Sequence, residues 1–200
     1  MPKHLLSLPF AVLLVALALS ACGGGSDETS EVEEVVATSA TTTDPADCKK
    51  LQTQQFMEQV SRESGEAAVE SCEEEAKNEE GAKEVRVSKV EVDGSGATAE
   101  AALKGGGALD GQAVEVALVK DGDQWKLDEV VKFTDFDHAH LVQRLEKELS
   151  DTDKSEAKFA SCFVEAFKQA SQAEVEELIF GESPQALEEV FEACSSRPSA

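Results

Sequence analysis

Between Glu84 and Phe133 the hydrophobic pattern has a period of two, and this stretch limits the possible folds more than any other part of the chain. Val85 and Val87 alternate with polar residues. Val90 and Val92 alternate in the opposite phase, so one extra residue near Ser88-Lys89 predicts a β-bulge. Ala97, Ala99, Ala101 and Leu103 form a second run, Val114, Val116 and Leu118 a third, and Trp125, Leu127, Val131 and Phe133 a fourth. Asp93-Gly94-Ser95-Gly96 and Asp121-Gly122-Asp123 supply hairpin chemistry between them. Four consecutive strands joined by short Gly-rich turns predict an antiparallel meander.

Helical patterns flank the meander. Asp44-Pro45-Ala46-Asp47 places an acid at an N-cap and Pro at the first helical position, opening a helix to about Arg62 that carries Leu51, Phe56, Met57 and Val60. Ser64-Gly65 ends it, and Glu66 to Lys77 reads as a second helix with Val69, Cys72 and Ala76 on one face. After Phe133, Asp137 is placed to cap a helix with Leu141, Val142, Leu145 and Leu149 inward. Phe159, Cys162, Phe163, Ala166, Phe167 and Ala170 then recur at helical spacing. Ser171-Gln172-Ala173-Glu174 is a capping box for a short helix ended by Gly181, and Ser183-Pro184 opens a last one with Leu187, Val190, Phe191 and Cys194 inward. The reading is an α+β chain: N-terminal helices packed on a four-stranded antiparallel meander sheet, followed by a C-terminal helical appendage over residues 134–200 that has the makings of a second small domain.

The first residues carry an address. Lys3 and His4 precede an apolar run from Leu5 to Leu19, a secretory signal pattern. The uncharged stretch from Leu5 to Ala21 is at the short limit for a membrane span, and Pro9 and Gly23-Gly24-Gly25 favour cleavage over a retained helix. Leu19-Ser20-Ala21-Cys22 resembles the lipobox of bacterial lipoproteins. The resemblance implies that residues 1–21 are a removed signal peptide and that Cys22 carries lipid, with acyl chains such as palmitate. Two or more chains hold a protein firmly on a bilayer, here the extracytoplasmic face of the bacterial cell membrane. Ordinary cleavage after Ser20 is the competing reading. Residues 22–45 read as the lipidated Cys and a solvated tether, whose flexible chain spans roughly 25 to 30 Å and holds the folded part off the membrane.

Five cysteines are an odd number for an exported chain, and lipidation of Cys22 leaves four. In an oxidising compartment Cys48, Cys72, Cys162 and Cys194 pair, most simply as Cys48 with Cys72 and Cys162 with Cys194, with two other connectivities left open by the sequence. Each such bridge is worth about 3 to 4 kcal/mol of loop-closure entropy. That matters for a core with one Trp, no Tyr and 5% aromatic residues overall. With 41 Asp and Glu against 18 Lys and Arg, the formal charge of −23 excludes a general nucleic-acid binder and sets anionic bilayers against the chain except through a lipid.

Two helices followed by a meander that contains Val116-Ala117-Leu118-Val119-Lys120-Asp121-Gly122-Asp123-Gln124-Trp125-Lys126-Leu127-Asp128 resemble the small lipoprotein branch of the nuclear-transport-factor-two-like, or cystatin-like, superfamily over residues 46–133. The resemblance implies an α+β cone with a pocket between the sheet and the helices, and no single function. Val116, Leu118 and Trp125 are the residues expected to line that pocket, with Trp125 equally suited to plain core.

No pattern for a cofactor or metal stands out. Asp135-Phe136-Asp137-His138-Ala139-His140 is the one cluster of His with carboxylates, but His138 and His140 are two apart and diverge on a helix, so an N-cap with polar first-turn residues is the simpler account. The glycines of Lys104-Gly105-Gly106-Gly107-Ala108-Leu109-Asp110-Gly111 lack the strand–loop–helix context of a phosphate cradle and read as a loop between strands. Glu70, Glu73, Glu74, Glu75, Glu79 and Glu80 lack an ordered calcium loop and read as a solvated helix face. Without Tyr, the oxyanion donor of the ketosteroid isomerases that share the superfamily is missing. The expectation is a non-enzymatic module on the membrane that binds a small ligand or a protein partner. The alternative is an enzyme of the same superfamily using an Asp/His pair from Asp135, Asp137, His138 and His140 in the sheet pocket. A purely structural role, presenting an acidic surface, predicts no pocket.

Overall fold

Four strands, β1 (Glu84–Asp93), β2 (Gly96–Lys104), β3 (Ala113–Asp121) and β4 (Gln124–Asp135), form one antiparallel sheet in the order β1-β2-β3-β4. The computed structural model describes residues 25–78, 81–107, 109–150, 157–181 and 185–196. Register shifts between Ser88 and Glu91, where Lys89 takes φ +52°, so the bulge lies where the alternation changes phase. Val87 pairs with Ala101 before the bulge and Val92 with Ala97 after it, which keeps the valines on one face. Ala99 faces Val116 and Leu118 faces Leu127 across the next ladders, completing an apolar inner face. The other face carries ion pairs such as Lys89–Glu100 and Lys132–Glu115.

Eight helices accompany the sheet among the described residues: α1 (Gly25–Thr41), α2 (Ala46–Leu51), α3 (Gln54–Ser61), α4 (Glu66–Lys77), α5 (His138–Ser150), α6 (Ala157–Gln169), α7 (Gln172–Phe180) and α8 (Gln185–Ser195). The first is a departure from the sequence reading, which made these residues a solvated tether. Val32 and Val36 are 0% and 1% exposed and belong to the main core, with α1 lying against β1, β2 and β4. Lys120 bonds Glu28 at 2.8 Å near one end of α1, and Ala82 N–H bonds Ala40 O at the other. The single helix expected from Ala46 to Arg62 is two. It breaks where Gln52 bridges Leu127 in β4 and Thr53 N–H donates to Leu127 O, after which the Thr53 hydroxyl caps α3 through Phe56 N–H.

α4 occupies the predicted span, Asp137 caps α5 through the amide of His140, and Ser171 and Glu174 form a reciprocal capping box on α7. The C-terminal helices do not close a core of their own. Leu141, Val142, Val164, Phe167, Val175, Leu178 and Phe180 join the cluster built on Val114, Leu118 and Trp125. Two amide side chains tie the layers. Gln59 accepts from Val130 N–H and donates to Val130 O and Phe180 O, while buried Gln112 exchanges two hydrogen bonds with the backbone of Asp137.

Cys48 is bonded to Cys72 (S–S 2.10 Å), joining α2 to α4 over a small satellite core with Met57 and Ala68. Cys162 is bonded to Cys194 (S–S 2.05 Å), joining α6 to α8. Cys22 lies outside the described residues.

Two predictions follow from this packing. Val32→Asp places an unpaired charge in the core and is expected to lower unfolding free energy by about 3 kcal/mol or more, whereas exposed Glu33→Ala moves it by less than about 0.5 kcal/mol in denaturant titrations. A tether would make the two changes equivalent. Replacing Cys48 and Cys72 together by Ala is expected to cost about 3.5 kcal/mol in the same assay, the loop-closure value for a bridge of this span.

Candidate functional site

A cavity of about 780 Å³ lies between the inner face of the sheet and the helices. Ala101 and Leu103 of β2, Val114 and Val116 of β3, and Leu127 and Val130 of β4 form its floor. Its walls come from Val36, Ser39 and Ala40 of α1, from Gln52, Phe56, Val60 and Ser61 around α3, and from Ile179 and Phe180 of α7. Small side chains explain the space: Ala101 sits in the floor where a larger residue would fill it, and Ala99 stands beside it in the strand.

The exposure of the lining shows where the cavity opens. Val60 (44% exposed), Glu75, Lys83 and Gly105 are exposed, whereas Phe56, Ala101, Val114, Val116, Leu127, Val130 and Phe180 are buried. The mouth is therefore framed by the end of α3, by α4, by the start of β1 and by the glycine loop between β2 and β3. In that loop Gly105 takes φ +84°, and a Cβ there would stand 2.9 Å from Lys83 Cβ. Side chains other than glycine are unfavourable on both counts.

Asp110 organises the loop. Its Oδ1 accepts from Gly105 N–H at 2.7 Å, and its Oδ2 lies 3.7 Å from both Arg144 Nε and His140 Nε2. Arg144 also lines the cavity and donates to Gly107 O at 3.4 Å. On the far wall Gln52 Nε2 donates to Ser39 Oγ, so this largely buried amide enters the cavity already partnered. Arg62 Nη atoms donate to Leu178 O and Gly181 O and close the end of α7, and burial holds the Arg62 guanidinium below its ordinary pKa against the raising influence of Glu177.

The residues singled out from sequence distribute unevenly. Val116 lines the cavity, but Leu118 and Trp125, 1% and 2% exposed, are core beyond its end. Lys120 explains their removal from it, since its ammonium lies 5.3 Å from the Trp125 ring centre and is itself bound to Glu28 of α1, which covers that end of the sheet. Asp135, Asp137, His138 and His140 do not line it either. Asp137 is occupied as a cap, His138 stacks on Phe136 with Nε2 2.7 Å from Phe167 O, and His140 packs against Gly111 beside Asp110. Among the described residues, no group of three or more His, Cys, Asp or Glu is arranged to hold a metal ion. In the acidic helix, Glu75 reaches the cavity and Glu73 pairs with Lys49, while residues 79 and 80 lie outside the described chain.

Sequence reasoning missed Lys83, Arg144, Phe56, Ile179 and the glycines as lining residues. Only the glycines carried a signal, a run denser than a strand connection requires. No family model matches the chain, and neither a curated protein nor a solved structure does.

The capping box that opens α7 contains an acid-sensitive contact. Hydrogen bonds from Ser171, first from its backbone N–H and then from its hydroxyl, hold the Glu174 carboxyl below the usual carboxylate range. A depressed folded-state pKa stabilises above the unfolded value and is lost as pH falls through the folded one. Ser171→Ala is thus expected to destabilise at neutral pH, with the difference from the parent narrowing as pH falls through the carboxylate range. The difference is the readout, because acid also relieves the self-repulsion of the net charge in both proteins. Parallel denaturant titrations from neutral to acidic pH check it.

Proposed function

We propose that the protein is a membrane-anchored extracytoplasmic lipoprotein whose folded part acts as a non-enzymatic binding module, taking a small ligand into the cavity between sheet and helices. The cavity carries the reading: about 780 Å³, a buried apolar floor and a few polar groups at the mouth are the features of a small-molecule site. Support for the anchor comes from sequence, in the apolar run ending at Leu19-Ser20-Ala21-Cys22. Among the described residues no helix is long and apolar enough to cross a membrane. The order of helices, meander and interposed cavity is compatible with a nuclear-transport-factor-two-like domain, and membership of that superfamily is part of the proposal.

With Cys22 as the first residue of the mature chain, only residues 23 and 24 precede α1, so the folded part sits close to the bilayer instead of standing off it.

The test is intact mass of the protein purified from its own membranes, measured native and then denatured without reduction. The denatured mass is expected to show lipid on a chain beginning at Cys22 and a deficit of four hydrogens for two disulfides. A native mass exceeding the denatured one identifies a bound small molecule. An unlipidated mature chain overturns the anchor, and equal native and denatured masses, unchanged after incubation with membrane lipid extract, overturn the ligand module.

A further inference from the structure

We infer that the cavity takes an uncharged, apolar molecule bearing a hydroxyl group, and that the hydroxyl donates to the buried amide oxygen of Gln52. This deepens the proposed binding role and rests on it.

Gln52 is fixed deep in the wall. Its backbone bridges Leu127 of the floor, its side chain meets Ser39 of α1 and Cys72 of α4, and all of these residues line the cavity. At 8% exposure it is a polar group set among the buried apolar side chains of Val36, Phe56, Val116 and Leu127. The bond to Ser39 Oγ, 2.8 Å long, serves only the nitrogen end of the amide. Among the described residues Oε1 meets only Cys72 Sγ, at 3.4 Å, and that sulfur is bonded to Cys48, so it has no hydrogen to give. The contact is therefore no hydrogen bond. A buried carbonyl oxygen is left facing the cavity without a donor, a state that is costly wherever water is shut out.

The rest of the lining argues for a ligand without charge. Arg144 lies 3.7 Å from the Asp110 carboxylate and donates to Gly107 O, Lys83 and Glu75 have partners too, and the Ser61 hydroxyl donates to Met57 O. Among the described lining residues, then, no charge awaits a counter-charge, and a charged head carried onto the buried floor would go unpaired. The floor itself calls for an apolar body. A ligand that covers it and expels water has to supply the bond to Oε1 itself, or the amide oxygen stays unpaired in the complex. A hydroxyl is the smallest uncharged group that donates such a bond.

The experiment titrates the purified full-length chain, disulfides formed, at neutral pH with octanol, with its isomer heptyl methyl ether, which accepts hydrogen bonds but donates none, and with octanoate, by calorimetry. Octanol is expected to bind about tenfold more tightly than the ether, with octanoate weakest. This comparison needs no variant. Gln52→Met keeps the length of the side chain and the backbone bridge to Leu127 but removes the acceptor, and it is expected to weaken octanol about tenfold while leaving the ether unchanged. Ala101→Leu, confirmed to unfold cooperatively, fills the floor and is expected to remove binding of all compounds. Octanol bound no more tightly than the ether, octanoate bound most tightly, or octanol binding indifferent to Gln52→Met in a folded variant overturns the hydroxyl assignment and leaves the cavity reading standing. No binding by any compound, or binding that survives Ala101→Leu, overturns both.

Discussion

Small side chains on the inner face of the sheet govern both how this protein packs and where it is hollow. A four-stranded meander has to bury one face, and here the middle of that face is alanine on β2 opposite valine on β3. Helices laid on so shallow a surface touch it well at its ends, where Leu118 and Trp125 at one end and Phe133 at the other provide bulk. Over Ala101 they span a gap. A chain with no Tyr, one Trp and few other aromatics lacks the large residues that would close it. The cavity is thus a consequence of composition as much as of topology.

The same shallowness explains why the helices are tied by directed bonds in addition to apolar contact. Gln59 clamps backbone groups of β4 and α7, Gln112 holds both backbone groups of Asp137 ahead of α5, Arg62 closes the end of α7, and two disulfides hold α2 to α4 and α6 to α8. Hydrogen bonds made by buried amides are costly to leave half-made, so they fix position where area alone would permit sliding.

Much of this was legible in the sequence because it is local. Strand alternation, the phase change at Lys89, the capping box at Ser171 and Glu174, and the limits of α4 depend on neighbours a few residues away. What escaped depends on distant partners. α1 offers only Val32, Val35 and Val36 amid acids and threonines, a stripe too thin to read as helix until β1 and β4 supply the surface that buries it. The break at Gln52 and Thr53 is set by Leu127, and the placement of Leu118 and Trp125 outside the cavity is set by α1 covering that end of the sheet. The lining cations Lys83 and Arg144 come from opposite flanks of the meander, so no window of sequence contains both.

α1 also imposes an order in time. It is the first described element along the chain, yet the ion pair of Glu28 joins it to Lys120, 92 residues later, and β4 beyond that completes its seat. A chain made from its N-terminus presents this helix before the strands that seat it. Three hairpin contacts of short range can form meanwhile, leaving closure of α1 as the late, long-range step. The thin apolar stripe and its acidic neighbours suit that wait: a segment with so little to hide stays soluble until the sheet is ready to receive it.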